Sequence, residues 1–502
     1  MNFFVNQYLM ALNSGVEHAE FKRLQLFKDH QAPAKLVTRQ FDGLLHQNMR
    51  CFNIADDQMA NLFDFFRETT SFSSRVIKMA DLNWPTAYDI KPDPNVSEVR
   101  AGDRLVAKVH FVPSTVGHVY FIEIFDHFNN LVQRTDYDER GFKARDEFFS
   151  SAGEPITDIF YRPDGSRMAE QYYAHDNNGT NYVSLCHLIN YHGRDYYFNG
   201  EQEWYRFFLD ELNKQYDENN VFIADRPLAA QWPVVNMQTA AKKYLWLPTP
   251  HAVDPRDQVY SNLNNAYVYG LHEFLSAWDG VITSTEQQKQ DLTQWLGGQP
   301  SVPILTISAA IVSKKHAQHA PISISERHAH EIIYTGRLDA ERRVDQLVTA
   351  FDQVHHKITD ATLVIYGYGG ELDRLKQQVS QLHLETAVTF AGYQPNLTMA
   401  YDQAGAYVYT GESDAQPLSL IEALSHGVPA IAYDINYGPK DVLKDGKNGY
   451  LVTDGAVNQL VRALTRTLES PQRQQRLSKG AYRSSEQYSD EQVWQQWQPV
   501  VQ

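Results

Sequence analysis

A chain of 502 residues is too long for one compact core and points to about three domains, two of them large. Its composition, 43% hydrophobic and 21% charged, is globular, and 45 basic against 61 acidic residues leave a net charge of −16, which excludes nucleic acid as a general partner. With Cys51 and Cys186 as its two cysteines, it has no disulfide framework or cysteine-based zinc site.

The start, Met1 to Met10, lacks a basic segment and is interrupted by Asn6 and Gln7, so it does not read as a secretory leader. No run of about 18 apolar residues occurs. A cytoplasmic location is therefore expected, with at most peripheral membrane association. Phe3 to Val5 reads as a strand, Ser14-Gly15-Val16-Glu17 as a loop, Phe21, Leu24, Leu26 and Phe27 as a helical face, and Ala34 to Thr38 as a second strand. Strand, glycine-containing loop, helix and strand open a parallel α/β layer.

Between residues 92 and 200 the pattern changes. Turn signals recur at Asn129-Asn130, Asp138 to Gly141, Ala152-Gly153, Asp164-Gly165, Asn178-Gly179 and His192-Gly193. Val119 to Ile124, Phe148-Phe149, Ile159 to Tyr161, Gln171 to Tyr173 and Tyr196 to Phe198 read as strands between them, an antiparallel meander. Aromatic residues concentrate here. They serve either as filling for the faces of a thin sheet or as a platform for a partner chain or elongated acceptor.

The α/β pattern returns with Val221 to Asp225, Tyr244 to Leu247 (running on to His251) and Gly280 to Ser284, the last followed by a helix capped at Thr285. After a His- and Ser-rich connector at about 313–330, strands are expected at 331–335, 361–366, 387–390, 406–409, 429–432 and 449–452, alternating with helices. A capped helix from Ser489 carries Trp494 and Trp497 and calls for a docking surface. The expected organisation is one α/β domain from 1–91 and 201–312, an inserted β-sheet domain at 92–200, a second α/β domain at 313–485, and a terminal helix at 486–502 crossing back to the first domain.

Three segments carry candidate chemistry. Gly336-Arg337, with Arg342-Arg343 following, places guanidinium forks at a strand end and helix start, suited to phosphate oxygens or else simply solvated beside Glu341 and Asp345. Gly367, Gly369 and Gly370 follow another strand and allow close backbone approach, or only a tight turn. Asp414 precedes a helix starting at Leu418-Ser419, and Glu422 lies within that helix. A diphosphate at the helix N-terminus fits between the two acids, with Glu422 accepting from vicinal hydroxyls, although Asp414 also reads as a cap. Tyr437 to Asp441 and Asp445 to Tyr450 read as turns without chemistry. His251 ends a strand of the first domain and serves either to orient a sugar or share a proton, or as a structural histidine.

In this order, from Gly336-Arg337-Leu338 to Leu451-Val452, these segments resemble the retaining glycosyltransferases of family 4, which have the GT-B fold of two facing Rossmann-like domains. The resemblance implies that Arg337 and Arg342 bind the diphosphate of a nucleotide, although the second position is usually Lys. It maps the family's Glu-x7-Glu pair onto Asp414, facing the transferred sugar, and Glu422, holding the ribose. It also places Gly15, Gly336, Gly367, Tyr393, Leu418 and Ser419 at the donor. The sequence Asp414-Ala-Gln-Pro-Leu418 departs from the usual Glu-Gly-Phe-Gly-Leu loop.

Ser14-Gly15-Val16-Glu17-His18-Ala19 and the meander resemble a bacterial subgroup. This includes the poly(glycerol-phosphate) and poly(ribitol-phosphate) α-glycosyltransferases of wall teichoic acid and the GtfA-type protein O-GlcNAc transferases. The implied activity is transfer of glucose or N-acetylglucosamine from a UDP-sugar, without metal or other cofactor, to a teichoic polymer or a Ser/Thr-rich protein. The implied assembly is a homo-oligomer or a pair with a second glycosyltransferase-like subunit. A non-catalytic subunit that binds acceptor and stabilises an active partner is the alternative.

Overall fold

The computed structural model describes residues 1–314 and 320–501; residues 315–319, within the His- and Ser-rich connector, and residue 502 lie outside the described residues. Three sheets organise the chain. The first is parallel, in the order Ile304–Thr306, Gly280–Thr283, Lys242–Trp246, Val221–Ala224, Asn2–Val5, Ala34–Thr38, Met59–Asn61. The sequence pattern does not announce Met59–Asn61 or Ile304–Thr306, since each is a three-residue edge strand with too few positions to establish a period. Successive strands leave Asn2–Val5 in both directions, so a switch point lies between Asn2–Val5 and Val221–Ala224.

The second sheet is an uninterrupted antiparallel meander of ten strands, from Asp89–Lys91 to Arg194–Phe198. Five of them, Asp89–Lys91, Val96–Ala101, Arg104–Phe111, Leu131–Asp138 and Asn181–Tyr191, are not among the strands expected from pattern. Several carry charges that pair within the sheet: Arg145 meets Asp136, Glu147 and Asp158, and Arg134 meets Asp136. Such strands read as polar loops until their partners are known. Many aromatics of the region do fill a core. Phe160 and Phe198 are buried with Phe63, Trp204 and Phe208 between the meander and the helix Glu201–Gln215. Phe128, Tyr182 and Tyr197 remain exposed.

The third sheet is parallel, in the order Val388–Gly392, Thr362–Tyr366, His328–Thr335, Ala404–Tyr409, Ala430–Asp434, Gly449–Thr453. All six strands are those expected, with ends shifted by a few residues. Leu347, Phe351 and Leu363 are among the residues of its core, as are Leu420 and Leu424. Its switch point lies between His328–Thr335 and Ala404–Tyr409.

The terminal helix, Asp490–Trp497, packs on the first sheet's domain. Trp497 is fully buried against Phe27 and Trp246, and Trp494 stacks on His30 with ring centroids 4.4 Å apart. Ser489 occupies the N-cap position, but its side chain makes no capping bond, contrary to the sequence expectation. Asp490 instead accepts from the Lys314 amide over 2.9 Å, tying the helix to the connector. Among the described residues no helix is long and apolar enough to cross a membrane.

Candidate functional site

The helix Gly15–Asp29 projects from the end of strand Asn2–Val5, and a capping box starts it: the Ser14 hydroxyl accepts from Val16 N, and Glu17 accepts from Ser14 N over 2.9 Å. Glu17 is fully buried. It also accepts from Asn6 (3.1 Å) and Arg226 (2.6 Å), and Arg226 reaches Tyr8 Oη and Ser14 Oγ as well. Six residues further along the helix, Arg23 pairs with Asp225 at 2.5 Å and lies 4.0 Å over the Phe4 ring. Burial raises the carboxyls of Glu20 and Asp225 here. These bonds lock the Gly15 turn to the switch point of the first sheet. Arg226 and Glu17 were not singled out from sequence; the Ser14-x-x-Glu17 spacing was the available signal.

Across the cleft, two strand-end loops of the second α/β domain pack backbone to backbone. Gly367 has φ +142°, and a β-carbon there would sit 1.8 Å from the Gly336 carbonyl oxygen. The close approach made at Gly367 is thus to Gly336 itself. This packing sets the direction in which Arg337 leaves its strand. The Arg337 side chain is 43% exposed and its two terminal nitrogens are held by Asp339 and Glu341 on the same loop.

Arg342 turns inward. Its Nη1 donates to Tyr409 Oη (2.6 Å) and to Asp414 Oδ2 (2.9 Å), and Tyr409 Oη donates to the same carboxylate oxygen (2.7 Å). Asp414 is not the cap of the following helix, whose N-cap is Pro417. Arg343 is structural, donating to the carbonyls of Thr410 and Gly411 and pairing with Asp454. The Tyr437 turn, which looked remote from any chemistry, braces this loop: Tyr437 N donates to the Asp414 carbonyl.

The helix Leu418–Ser425 begins here with first-turn amides pointed at the cleft, as any helix start provides. The Ser419 hydroxyl hydrogen-bonds Tyr407 Oη, 2.7 Å away, which fixes its position beside the first-turn amides. Glu422 accepts from Tyr401 Oη at 3.3 Å and pairs with Lys22 from the opposite domain. His18 Nε2 meets Tyr393 Oη at 3.1 Å, and a β-carbon at Gly15 would lie 3.7 Å from Leu418 Cδ1. Gly15, Tyr393, Leu418 and Glu422 are therefore neighbours across one cleft. Lys22 was not anticipated, because nothing local marks it, and His18 entered only within the segment from Ser14 to Ala19, with no role of its own.

His251 lies apart, fully buried beyond strand Lys242–Trp246, and neither ring nitrogen finds a hydrogen-bond partner of good geometry among the described residues. Burial depresses its pKa to about 4 and keeps the ring neutral. Among the described residues no group of three His, Cys, Asp or Glu side chains is placed to hold a metal ion.

With this geometry in hand, comparison with known proteins is informative. A sequence profile described as an accessory Sec system protein matches residues 7–386, and that of glycosyl transferases group 1 matches residues 291–484. The UDP-N-acetylglucosamine–peptide N-acetylglucosaminyltransferase GtfA subunit of Streptococcus gordonii is 26% identical, covering 97% of this chain and 96% of that protein. The poly(ribitol-phosphate) alpha-N-acetylglucosaminyltransferase of Staphylococcus aureus is 21% identical, covering 99% and 98%. The crystal structure of the pneumococcal O-GlcNAc transferase GtfA in complex with UDP and GlcNAc superposes with a TM-score of 0.83 at 21% identity, over 99% of this chain and 98% of that one, and identifies the fold as GT-B.

Proposed function

The chain belongs to the accessory Sec system protein family matched over residues 7–386 and also matches glycosyl transferases group 1 over residues 291–484, and we propose that it is a working glycosyltransferase and not an accessory component alone. It moves glucose or N-acetylglucosamine from a UDP-sugar, with retention as in family 4, onto a wall teichoic acid polymer or the Ser/Thr side chains of a surface protein. What supports this reading is the meeting of Gly15 and Lys22 from the first domain with Leu418 and Glu422 of the second, together with the Arg342–Asp414 pair at the second sheet's switch point.

The chemistry follows from what breaks. Departure of UDP leaves negative charge on the diphosphate as the anomeric C–O bond lengthens. Arg337, the Arg342 unit and the first-turn amides at Leu418 and Ser419 supply fixed positive potential there. Glu422 takes the ribose hydroxyls. Attack on the leaving-group face needs no protein nucleophile, and no metal is required where guanidinium and amide groups serve the diphosphate. Room for a side chain exists at Gly15, so close approach of a ligand accounts for the glycine better than the protein's own packing does. The family description and the GtfA relatives support association with a second subunit, and the exposed aromatics of the meander offer a surface for it or for the acceptor. Catalysis takes place in the cytoplasm, before export of the acceptor.

The test is to incubate the purified chain with UDP-glucose and UDP-N-acetylglucosamine against a teichoic polymer and a Ser-rich peptide, alongside a thermal-shift titration with UDP. Turnover with one pair is expected, with UDP raising the melting temperature. A UDP shift without turnover would assign the chain to a binding subunit. Absence of both would remove the donor site altogether.

A further inference from the structure

Gly15, His18 and Lys22 are spaced by three and four residues, so they share one face of the helix Gly15–Asp29. That face lies over Leu418, Tyr393 and Glu422 in turn, the nucleoside half of the donor site. We propose that Lys22 is a positioning residue for the donor: reaching across from the first domain, it holds the Glu422 carboxylate ready for the ribose, so that domain closure and nucleoside binding are coupled. The inference rests on the ribose role of Glu422.

Geometry allows Lys22 to stay in place when the nucleotide enters. A carboxylate offers about four acceptor positions, two on each oxygen. Lys22 uses one on Oε1 and Tyr401 one on Oε2, which leaves one position on each oxygen for a pair of vicinal hydroxyls. Charge gives Lys22 its importance. The groups facing Glu422 are Lys22 and His18 from the opposite helix, Tyr401 from the helix Thr398–Gln403, Tyr407 from strand Ala404–Tyr409, and His426 at the end of its own helix. Burial pushes the Glu422 carboxyl up, and Lys22, helped by His18 and His426, outweighs it and brings the carboxyl below its ordinary value. None of the groups on Glu422's own domain is a permanent cation. With the domains apart, Glu422 loses Lys22 and His18 and keeps the Tyr401 hydroxyl and His426 beside it.

The experiment titrates UDP by calorimetry into wild type, Lys22→Met, Lys22→Arg and Glu422→Gln from about pH 8 down to about pH 5. UDP's own phosphate ionisation cancels in the ratio of variant to wild-type affinity. Lys22→Met should bind UDP several-fold more weakly at about pH 8, with the ratio widening to beyond about tenfold toward pH 5, because the carboxylate is now lost at a higher pH. Lys22→Arg should restore the wild-type ratio. A ratio independent of pH would make the contact merely structural, and tighter binding in Lys22→Met would make Lys22 a competitor of the ribose; either overturns the proposal. Glu422→Gln separates the two levels. If it leaves UDP affinity unchanged, the ribose reading fails; if it weakens binding while Lys22→Met does not, the Lys22 proposal alone fails. Both side chains are about one third exposed (37% and 32%), so folding should survive, and a melting curve for each variant checks this.

Discussion

Arg342 and Asp414 form one unit, with Nη1 of the first 2.9 Å from Oδ2 of the second and the Tyr409 hydroxyl bonded to both. The family this chain resembles carries Lys and Glu at these positions, so the two departures from its pattern are partners in a single ion pair. A longer, planar guanidinium reaches a carboxylate shortened by one methylene. Arg342→Lys and Asp414→Glu should each lower kcat, and the double variant should recover much of the loss, with a coupling energy on the order of 1 kcal/mol in a double-mutant cycle of steady-state rates. Additive losses would show that the two substitutions are independent.

Arg337 stands in a different electrostatic situation. Asp339 and Glu341 hold its guanidinium at the surface, where an incoming diphosphate must compete with them. Exposed pairs of this kind are worth at most about 1 kcal/mol each. Asp339→Asn and Glu341→Gln should therefore tighten UDP binding by about two- to fivefold in calorimetry, while Arg337→Ala should lower turnover by about a hundredfold. Weaker binding after removal of either acid would mean that these carboxylates aim Arg337 instead of competing for it.

The second α/β domain was legible from sequence because its strands are apolar, separated by amphipathic helices, and end in the motif residues. Strand order then does the rest: Arg337 follows one strand of the switch point and Asp414 follows its neighbour. The meander was legible from its turns but not from Leu131–Asp138, whose Arg134 and Asp136 declare themselves as sheet residues only beside Arg145. The contact of Lys22 with Glu422 spans 400 positions and joins two domains. No local period encodes it. The bond between Ser419 and Tyr407 is likewise invisible locally, since the two side chains meet only when the helix packs on strand Ala404–Tyr409.

His251 bears on pH. Its folded pKa of about 4 lies below the ordinary value of about 6.5, so the folded state binds fewer protons than the unfolded chain between those values. Its contribution is fully present above about pH 6.5 and is lost as pH falls toward about 4, a change on the order of 3 kcal/mol. Urea denaturation should show His251→Gln losing less stability than wild type between about pH 7 and pH 5. Since the ring is neutral throughout that range, His251→Asn should leave the pH dependence of kcat between about pH 7 and pH 5 unchanged; an altered profile would give the ring a proton-transfer role.

Trp497 tests whether the terminal helix matters to the cleft as well as to stability. Its ring is fully buried, stacked on Trp246 with centroids 5.6 Å apart, and the Arg23 guanidinium lies 5.2 Å from it. Arg23 in turn pairs with Asp225 and anchors the helix that carries Gly15 and Lys22. Trp497→Ala should cost about 3–5 kcal/mol through the cavity it leaves. It should also raise KM for the UDP-sugar, because the helix loses part of the floor that sets its direction. Trp494→Ala, which removes a partly exposed ring stacked on His30, should cost less and leave KM alone. Denaturation curves give the first quantity and steady-state kinetics at a temperature where both variants stay folded give the second. Loss of stability in Trp497→Ala with an unchanged KM would reduce the terminal helix to a buttress of the first sheet.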